Sequence, residues 1–224
     1  MANNYYDATG VLVLDQITPV ITALFDGLSL DASYPGDGQA YIALISESNA
    51  ALWDDIHENL TGLAKSLGLP MPDEDPPPIE EVLELLAKHF GTDRDEALAH
   101  MIEEHSFEDA ADLDALFLIA TRFNDGHNLS EIRFEGSWHC DKPRLFEFGG
   151  DGYYLSREFE AFSASGQAVQ LGPEIRRALV ADELDKAAAL IARETTRLLA
   201  GVNDAERRKQ LQERIAALLH ASPA

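Results

Sequence analysis

The chain has 224 residues, enough for one large domain or two small ones, and its 46% apolar content is ordinary for a globular protein with a core. Its net charge is -23 and uneven: residues 1–125 hold 25 acidic and 4 basic residues, whereas residues 126–224 hold 15 and 13. Such a field repels nucleic acid and anionic membranes and attracts basic proteins, so we expect no direct nucleic-acid binding. A single cysteine excludes an intramolecular disulfide and a multi-thiolate zinc site. With no signal peptide and no long apolar run, we expect a cytoplasmic protein without a membrane span.

The first 67 residues predict a strand and two helices. A short apolar strand at 11–14 precedes a helix with Thr18 as N-cap and Pro19 at its first position, where the missing N–H is no loss. A loop is expected at SYPGDGQ, and residues 40–46, AYIALIS, fit the strand and the helix period equally. The next helix is amphipathic with an acidic outer face, and its apolar stripe consists of Trp53, Ile56, Leu60, Leu63 and Leu67.

Residues 68–78, GLPMPDEDPPP, predict an exposed, stiff linker. Five of these eleven residues are proline, which fits neither a helix interior nor a central strand. We expect one domain over residues 1–224, with the linker exposed on it. The alternative is a subdivision into an acidic α/β part at 1–70 and a part with helices and a sheet at 79–224.

Three helices are predicted after the linker. The first runs from about residue 79 to Gly91, because glycine readily takes the left-handed C-cap conformation. The second is expected to begin at Thr92. The third is expected to begin with Ser106 as N-cap and Asp109 in the place of the usual capping-box partner.

From Leu129 onward the hydrophobic period changes to two, which is typical of a half-buried strand. One face holds Ile132, Phe134, Gly136, Trp138 and Cys140, and the other holds Arg133, Glu135, Ser137 and His139. Turns at DKPR and GGDG, with strands at LFEF and YYLSREFEAF, predict an antiparallel meander. The predicted fold class is therefore α+β, mainly helical, with one small antiparallel meander of about three to five strands packed against helices.

The last third of the chain predicts helices only. Pro173 opens one of them, Asp182 caps a second that ends at Gly201, and Asn203 begins the last. The last helix carries an apolar stripe that could form a homodimer seam, which consists of Leu211, Ile215, Leu218 and Leu219.

The stretch SWHCDKPRLFEFGGDG, residues 137–152, is the first candidate for chemistry. Because neighbouring strand residues point to opposite faces, His139 and Cys140 are not expected to form a dyad. We expect Cys140 to lie in the core with a raised thiol pKa. An alternative hypothesis is a pocket between the sheet and its helices, built from Trp138, His139, Glu147, Tyr153 and Tyr154.

No motif in the sequence predicts a catalytic residue, a metal ligand or a cofactor. His100 and His105 in HMIEEH resemble a zinc helix, but a spacing of five residues turns them about 140° apart. The sequence contains no zinc-protease helix, nucleophile elbow, Walker loop or dinucleotide fingerprint. The sequence favours a non-enzymatic protein but leaves open a catalytic site in which some of the seven histidines and the carboxylates converge from distant segments.

Three stretches resemble conserved proteins of unknown function that are carried by bacterial plasmids and integrative conjugative elements. They are NNYYDATGVLVLDQITPV, SFEDAADLDALFLIATRF and GSWHCDKPRLFEFGGDG. The resemblance would extend along most of the chain and implies a bacterial cytoplasmic setting and a role accessory to a mobile element. It implies no catalytic residues.

Charge and resemblance together lead to one main functional hypothesis and two alternatives. The main hypothesis is an accessory protein that binds a basic protein through an acidic helical face, formed by Asp54, Asp55, Glu58, Glu80, Glu81, Glu84, Glu103 and Glu104. The first alternative is a nucleic-acid mimic that inhibits a host DNA-binding protein. The second is an enzyme or small-molecule binder that uses the pocket at the sheet. A surface acid excess that serves only solubility is the simplest explanation.

Overall fold

A computed structural model describes residues 3–74, 76–142, 144–145 and 147–221 as an α+β protein with one sheet. Its strands are β1 (Asn4–Val13), β2 (Asp31–Pro35), β3 (Gln39–Leu44), β4 (Glu131–Cys140), β5 (Phe148–Ser156) and β6 (Glu160–Ala164). Its α-helices, which take up nearly half of the chain, are α1 (Pro19–Phe25), α2 (Trp53–Ser66), α3 (Ile79–Phe90), α4 (Glu96–Glu104), α5 (Leu113–Arg122), α6 (Gly166–Val180), α7 (Leu184–Ala200) and α8 (Ala205–Ala221). The α+β class is confirmed, but the sheet has six strands where about three to five were predicted.

The sheet order is β2-β3-β1-β4-β5-β6, and the strands pair antiparallel. Strand β3 aligns with β1 from Ala8↔Leu44 to Val13↔Gln39, so residues 40–46 fall mainly in a strand. Pairing with β1 decides this, because the short apolar run alone satisfies both periods. The predicted loop SYPGDGQ contains the end of β2, which the sequence pattern does not reveal.

The chain divides into two compact units. One is Tyr5–Phe134, and the other consists of the residues from Glu135 onward together with those before Tyr5. The first unit contains a dense core in which the side chains of Phe25, Trp53 and Phe123 are at most 1% exposed. In the second unit α8 buries none of its residues, and α6 and α7 each bury one alanine. The proline-rich segment lies within the first unit, and the single-domain prediction stays a prediction.

Two predicted helix starts are wrong, because backbone groups near Thr92 and Ser106 form hydrogen bonds outside the expected helices. The Thr92 N–H donates to Ala87 O at 2.8 Å and closes the end of α3, so α4 begins later, with Asp95 as its N-cap. The segment after Ser106 forms a bridge to the start of α2, in which Trp53 N–H donates to Asp109 O at 3.0 Å. Helix α5 therefore begins at Leu113.

The alternation of β4 is confirmed, but the glycine cluster after it is not a turn. Phe134, Gly136 and Cys140 are buried, whereas Glu135 and Ser137 are exposed. The GGDG residues lie inside β5, which begins at Phe148, the last residue of LFEF, whereas Leu145 and Glu147 are not in a strand. A Cβ atom at Gly149 would overlap the Trp138 ring and lie 2.8 Å from its Nε1, so this glycine makes room for an indole.

Helix starts in the last third also differ from the sequence prediction. Pro173 lies inside α6, and Glu183 stands at the N-cap of α7 in place of Asp182. The Arg207 N–H donates to Asp204 Oδ1 at 2.8 Å, which caps α8 one residue after the expected position. The side chains of the proposed seam are exposed or half-buried, and the homodimer stays a prediction.

Candidate binding site

The acidic residues of the main hypothesis are all exposed, and three of them lie at one cleft. Asp54, Asp55 and Glu58 are on α2, whereas the others are on α3 and α4. Glu80, Glu84 and Glu103 line a cleft of about 600 Å³ between α3 and α4. Glu81 and Glu104 lie on the same two helices and are not among its lining residues.

The floor of the cleft is apolar. Ala87 of α3 and Leu98 and Ile102 of α4 line it, and their exposed fractions are 3%, 1% and 8%. On α3 the spacing of four between Glu80 and Glu84 places both on one stripe, beside the apolar residues that face the core. Each helix therefore contributes a buried apolar side and a charged edge to the same cleft.

Acidic residues outnumber basic ones around the rim of the cleft. Glu80, Glu84, Asp93 and Glu103 have no ion pair within the part of the chain that the structure describes. Of the described residues that line the cleft, one, Lys88, is basic. Carboxylates that share a concave surface reinforce one another's field, so the cleft favours a cationic group.

Asp95 also lines the cleft, but its carboxylate already caps α4 and pairs with Arg122. Its Oδ1 accepts the Leu98 N–H at 2.9 Å and caps α4, and its Oδ2 accepts the Arg122 Nε–H at 2.6 Å. Burial raises the pKa of Asp95, but the Leu98 N–H and the Arg122 guanidinium outweigh burial and hold the pKa below its usual value. This residue fixes α4 against α5 and sets the geometry of the cleft.

Replacing Asp95 by Asn should destabilise the protein by about 1 kcal/mol at pH 7, because Asn keeps the cap and loses the ion pair. Ala, which loses both, should cost about 2 kcal/mol. A lowered folded-state pKa means that this stabilisation is present above the unfolded pKa and is lost as the pH falls through the folded one. In urea unfolding, the gap between wild type and D95N should therefore shrink below about pH 4. A gap that stays constant down to pH 2 would contradict the role of the carboxylate charge.

The residues of the alternative pocket lie on different faces of their strands. Trp138 and His139 are neighbours in β4, and Tyr153 and Tyr154 are neighbours in β5, so each pair divides between two faces. Tyr153 packs on Phe162 at 4.7 Å between ring centroids, and Tyr154 packs on Phe159 at 6.2 Å. Glu147 is half-buried in the segment before β5, where Arg144 lies 3.6 Å away. The two tyrosines therefore pack against aromatic side chains of the β5–β6 hairpin, and the pocket stays a prediction.

Cys140 lies in the environment that the sequence predicts. It is 4% exposed, and its sulfur is 3.8 Å from Asp141 Oδ1. The Lys142 backbone N–H lowers the pKa of the thiol, but burial and the nearby Glu147 and Asp141 carboxylates outweigh it, so the pKa is raised. A buried thiol with a raised pKa is a poor nucleophile.

Sequence reasoning did not identify the residues that make the cleft concave. Asp93, Asp95 and Lys88 line it together with the apolar floor, and none of them was predicted as a site residue. The available signal was the short α3 to α4 connection after Gly91, because a short loop between helices brings them side by side.

Comparisons with protein-family models, with curated proteins and with solved structures found no match for this chain. Within the described ranges, no cluster of three or more His, Cys, Asp or Glu side chains is arranged to hold a metal ion. None of the helices described is both long enough and apolar enough to cross a membrane.

Proposed function

We propose that the protein is a non-enzymatic accessory protein of a bacterial mobile element that binds a basic protein in the cytoplasm. The observation that carries this proposal is the cleft between α3 and α4, with Glu80, Glu84, Asp93 and Glu103 around an apolar floor. The mobile-element setting rests on the sequence resemblance.

The combination of a buried floor and an acidic rim favours one kind of ligand, an amphipathic basic helix. Such a helix places apolar side chains in a groove and keeps its charged face at the edge, as helix-in-groove complexes do. The apolar floor residues Leu98 and Ile102 would receive its apolar side, and the rim carboxylates would meet its Lys or Arg residues. Charge complementarity of this kind raises association rates and selects the partner.

Reversing two rim charges, with Glu84→Lys and Glu103→Lys together, should weaken binding of a basic amphipathic peptide by roughly tenfold or more. The probe is a synthetic helical peptide with lysines on one face and leucines on the other, measured by calorimetry. The matched control is Asp54→Lys with Glu58→Lys on α2, which changes the net charge equally and lies outside the cleft. Equal losses in the two variants would mean that net charge alone attracts the peptide, and would contradict the cleft.

A second binding measurement, with a DNA-binding protein as the partner, tests the nucleic-acid mimic. If the carboxylates mimic phosphates, the affinity of the DNA-binding protein for this protein should fall steeply with added salt. Duplex DNA should also displace it from the complex. A complex that persists in high salt and in the presence of duplex DNA would exclude mimicry and support an apolar helix-in-groove contact.

A further inference from the structure

Helix α8 is a basic amphipathic helix whose apolar side is largely exposed. It buries none of its residues, and it contains four basic and two acidic residues. The exposed fractions of Leu211, Leu218 and Leu219 are 39%, 67% and 74%. Several large apolar side chains exposed along one helix are typical of a surface that binds another protein.

The charges of α8 are divided between two faces. Arg207 precedes Leu211 by four residues and Arg214 follows it by three, so both arginines flank the apolar stripe. The opposite face holds Glu206, Lys209 and Glu213, each two or five residues from Leu211. Neither Arg207 nor Arg214 forms an ion pair with any residue that the structure describes. The apolar stripe of α8 is therefore bordered by positive charge.

The cleft between α3 and α4 complements this face of α8 in charge and in length. Besides Asp95, the acidic residues that line it are Glu80, Glu84, Asp93 and Glu103. Ala99 is exposed at the cleft, and its small side chain allows a second helix to approach α4 closely. At 1.5 Å per residue α3 is about 18 Å long, whereas Arg207 and Arg214 are about 10 Å apart along α8. Both arginines of one helix can therefore reach the carboxylates of one cleft.

We propose that α8 of one copy of the protein binds in the α3–α4 cleft of a second copy. This inference rests on the proposed function, because it names a ligand for the same cleft. Each chain has one such helix and one such cleft, so the contact joins two unlike surfaces, head to tail. A seam between two α8 helices would instead bring the flanking arginines of both copies into one interface, where they repel.

The test is the mass of the whole protein in solution, measured by sedimentation over a range of micromolar concentrations. Wild type should self-associate, and added salt should weaken the association. Glu84→Lys with Glu103→Lys, the cleft variant, should weaken it roughly tenfold or more. Arg207→Glu with Arg214→Glu, the helix variant, should do the same. Arg208 is left unchanged, because its guanidinium donates to Val202 O at 2.7 and 3.0 Å.

Matched controls separate the contact from net charge. Arg214→Glu alone should weaken self-association about fivefold, whereas Lys209→Glu, the same charge change on the opposite face of α8, should leave it unchanged. Asp54→Lys with Glu58→Lys on α2 is the control for the cleft variant. Equal losses in Arg214→Glu and Lys209→Glu would overturn the proposal.

Mixing the two double variants gives the sharpest result. The cleft variant keeps an intact α8, and the helix variant keeps an intact cleft, so an equimolar mixture should form a complex that neither protein forms alone. A mixture that stays monomeric would overturn the proposal. Self-association that the cleft variant retains in full would overturn it as well, because the copies would then meet through another surface.

The synthetic basic peptide separates this inference from the proposed function. The peptide should dissociate the wild-type assembly, because it competes with α8 for the cleft. If the peptide binds the cleft while the whole chain stays monomeric at every concentration, the inference is overturned and the proposed function stands. If neither the peptide nor α8 binds there, both are overturned.

Discussion

Replacing Gly10 by Ala should destabilise the protein by about 3 kcal/mol, one of the largest effects expected of a single methyl group. Gly10 lies in the middle of β1, and a Cβ atom there would collide with Arg133 O and lie 2.7 Å from Phe134 Cδ2. The nearest atom belongs to the backbone of β4, which cannot rotate away as a side chain could. The strands would have to separate, and the hydrogen bonds between them would lengthen.

The loss at Gly10 can be measured by urea unfolding of the purified chain. The matched control is Gly62→Ala in α2, where a Cβ atom would meet nothing within 4 Å and where alanine should be neutral or slightly stabilising. A G10A protein as stable as wild type would contradict the close approach of β1 to β4 at this residue.

Trp53→Ala should cost about 4 kcal/mol, because the side chain is 1% exposed and its removal leaves a large cavity. The indole packs edge-on against Phe107 at 4.9 Å and His105 at 5.0 Å between ring centroids. Its Nε1–H donates to no group among the described residues. Trp53→Phe removes that donor and part of the volume, and should therefore cost much less than Ala, about 1 to 2 kcal/mol.

Thermal and urea unfolding of the two Trp53 variants would check this order. A Phe variant as unstable as the Ala variant would show that the indole N–H makes a hydrogen bond that stabilises the core. Leu60→Ala, in the same helix and fully buried, is the reference for a large truncation without a polar atom.

The hydrophobic period of the sequence correctly predicted the helices and strands whose bounds do not depend on contacts with distant residues. The helices α2 and α3 keep one apolar side over several turns, and Gly91 ends α3 with φ of 71° as the sequence predicts. In β4 every second residue faces the core, so the face of Cys140 could be assigned from the sequence. These features depend on local spacing, which the sequence contains directly.

Elements that depend on a distant partner were not predictable in the same way. The backbone between Ser106 and Leu113 pairs with residues near Trp53, and this contact delays the start of α5. The acidic surface was visible as a charge excess, but the cleft within it requires α3 and α4 to lie side by side. The link from Asp95 to Arg122 spans 27 residues, and no local pattern indicates it.

The sparse burial in α6, α7 and α8 has a consequence for how the chain fluctuates. With Ala178 and Ala187 as the buried residues of α6 and α7, and none in α8, few apolar contacts oppose local opening of these helices. Their amide protons should exchange with solvent deuterium through local unfolding, well before those of α5 or β3, which open only when the first unit unfolds. Helices α6, α7 and α8 would then unfold and refold many times in the interval between two global unfolding events of the first unit.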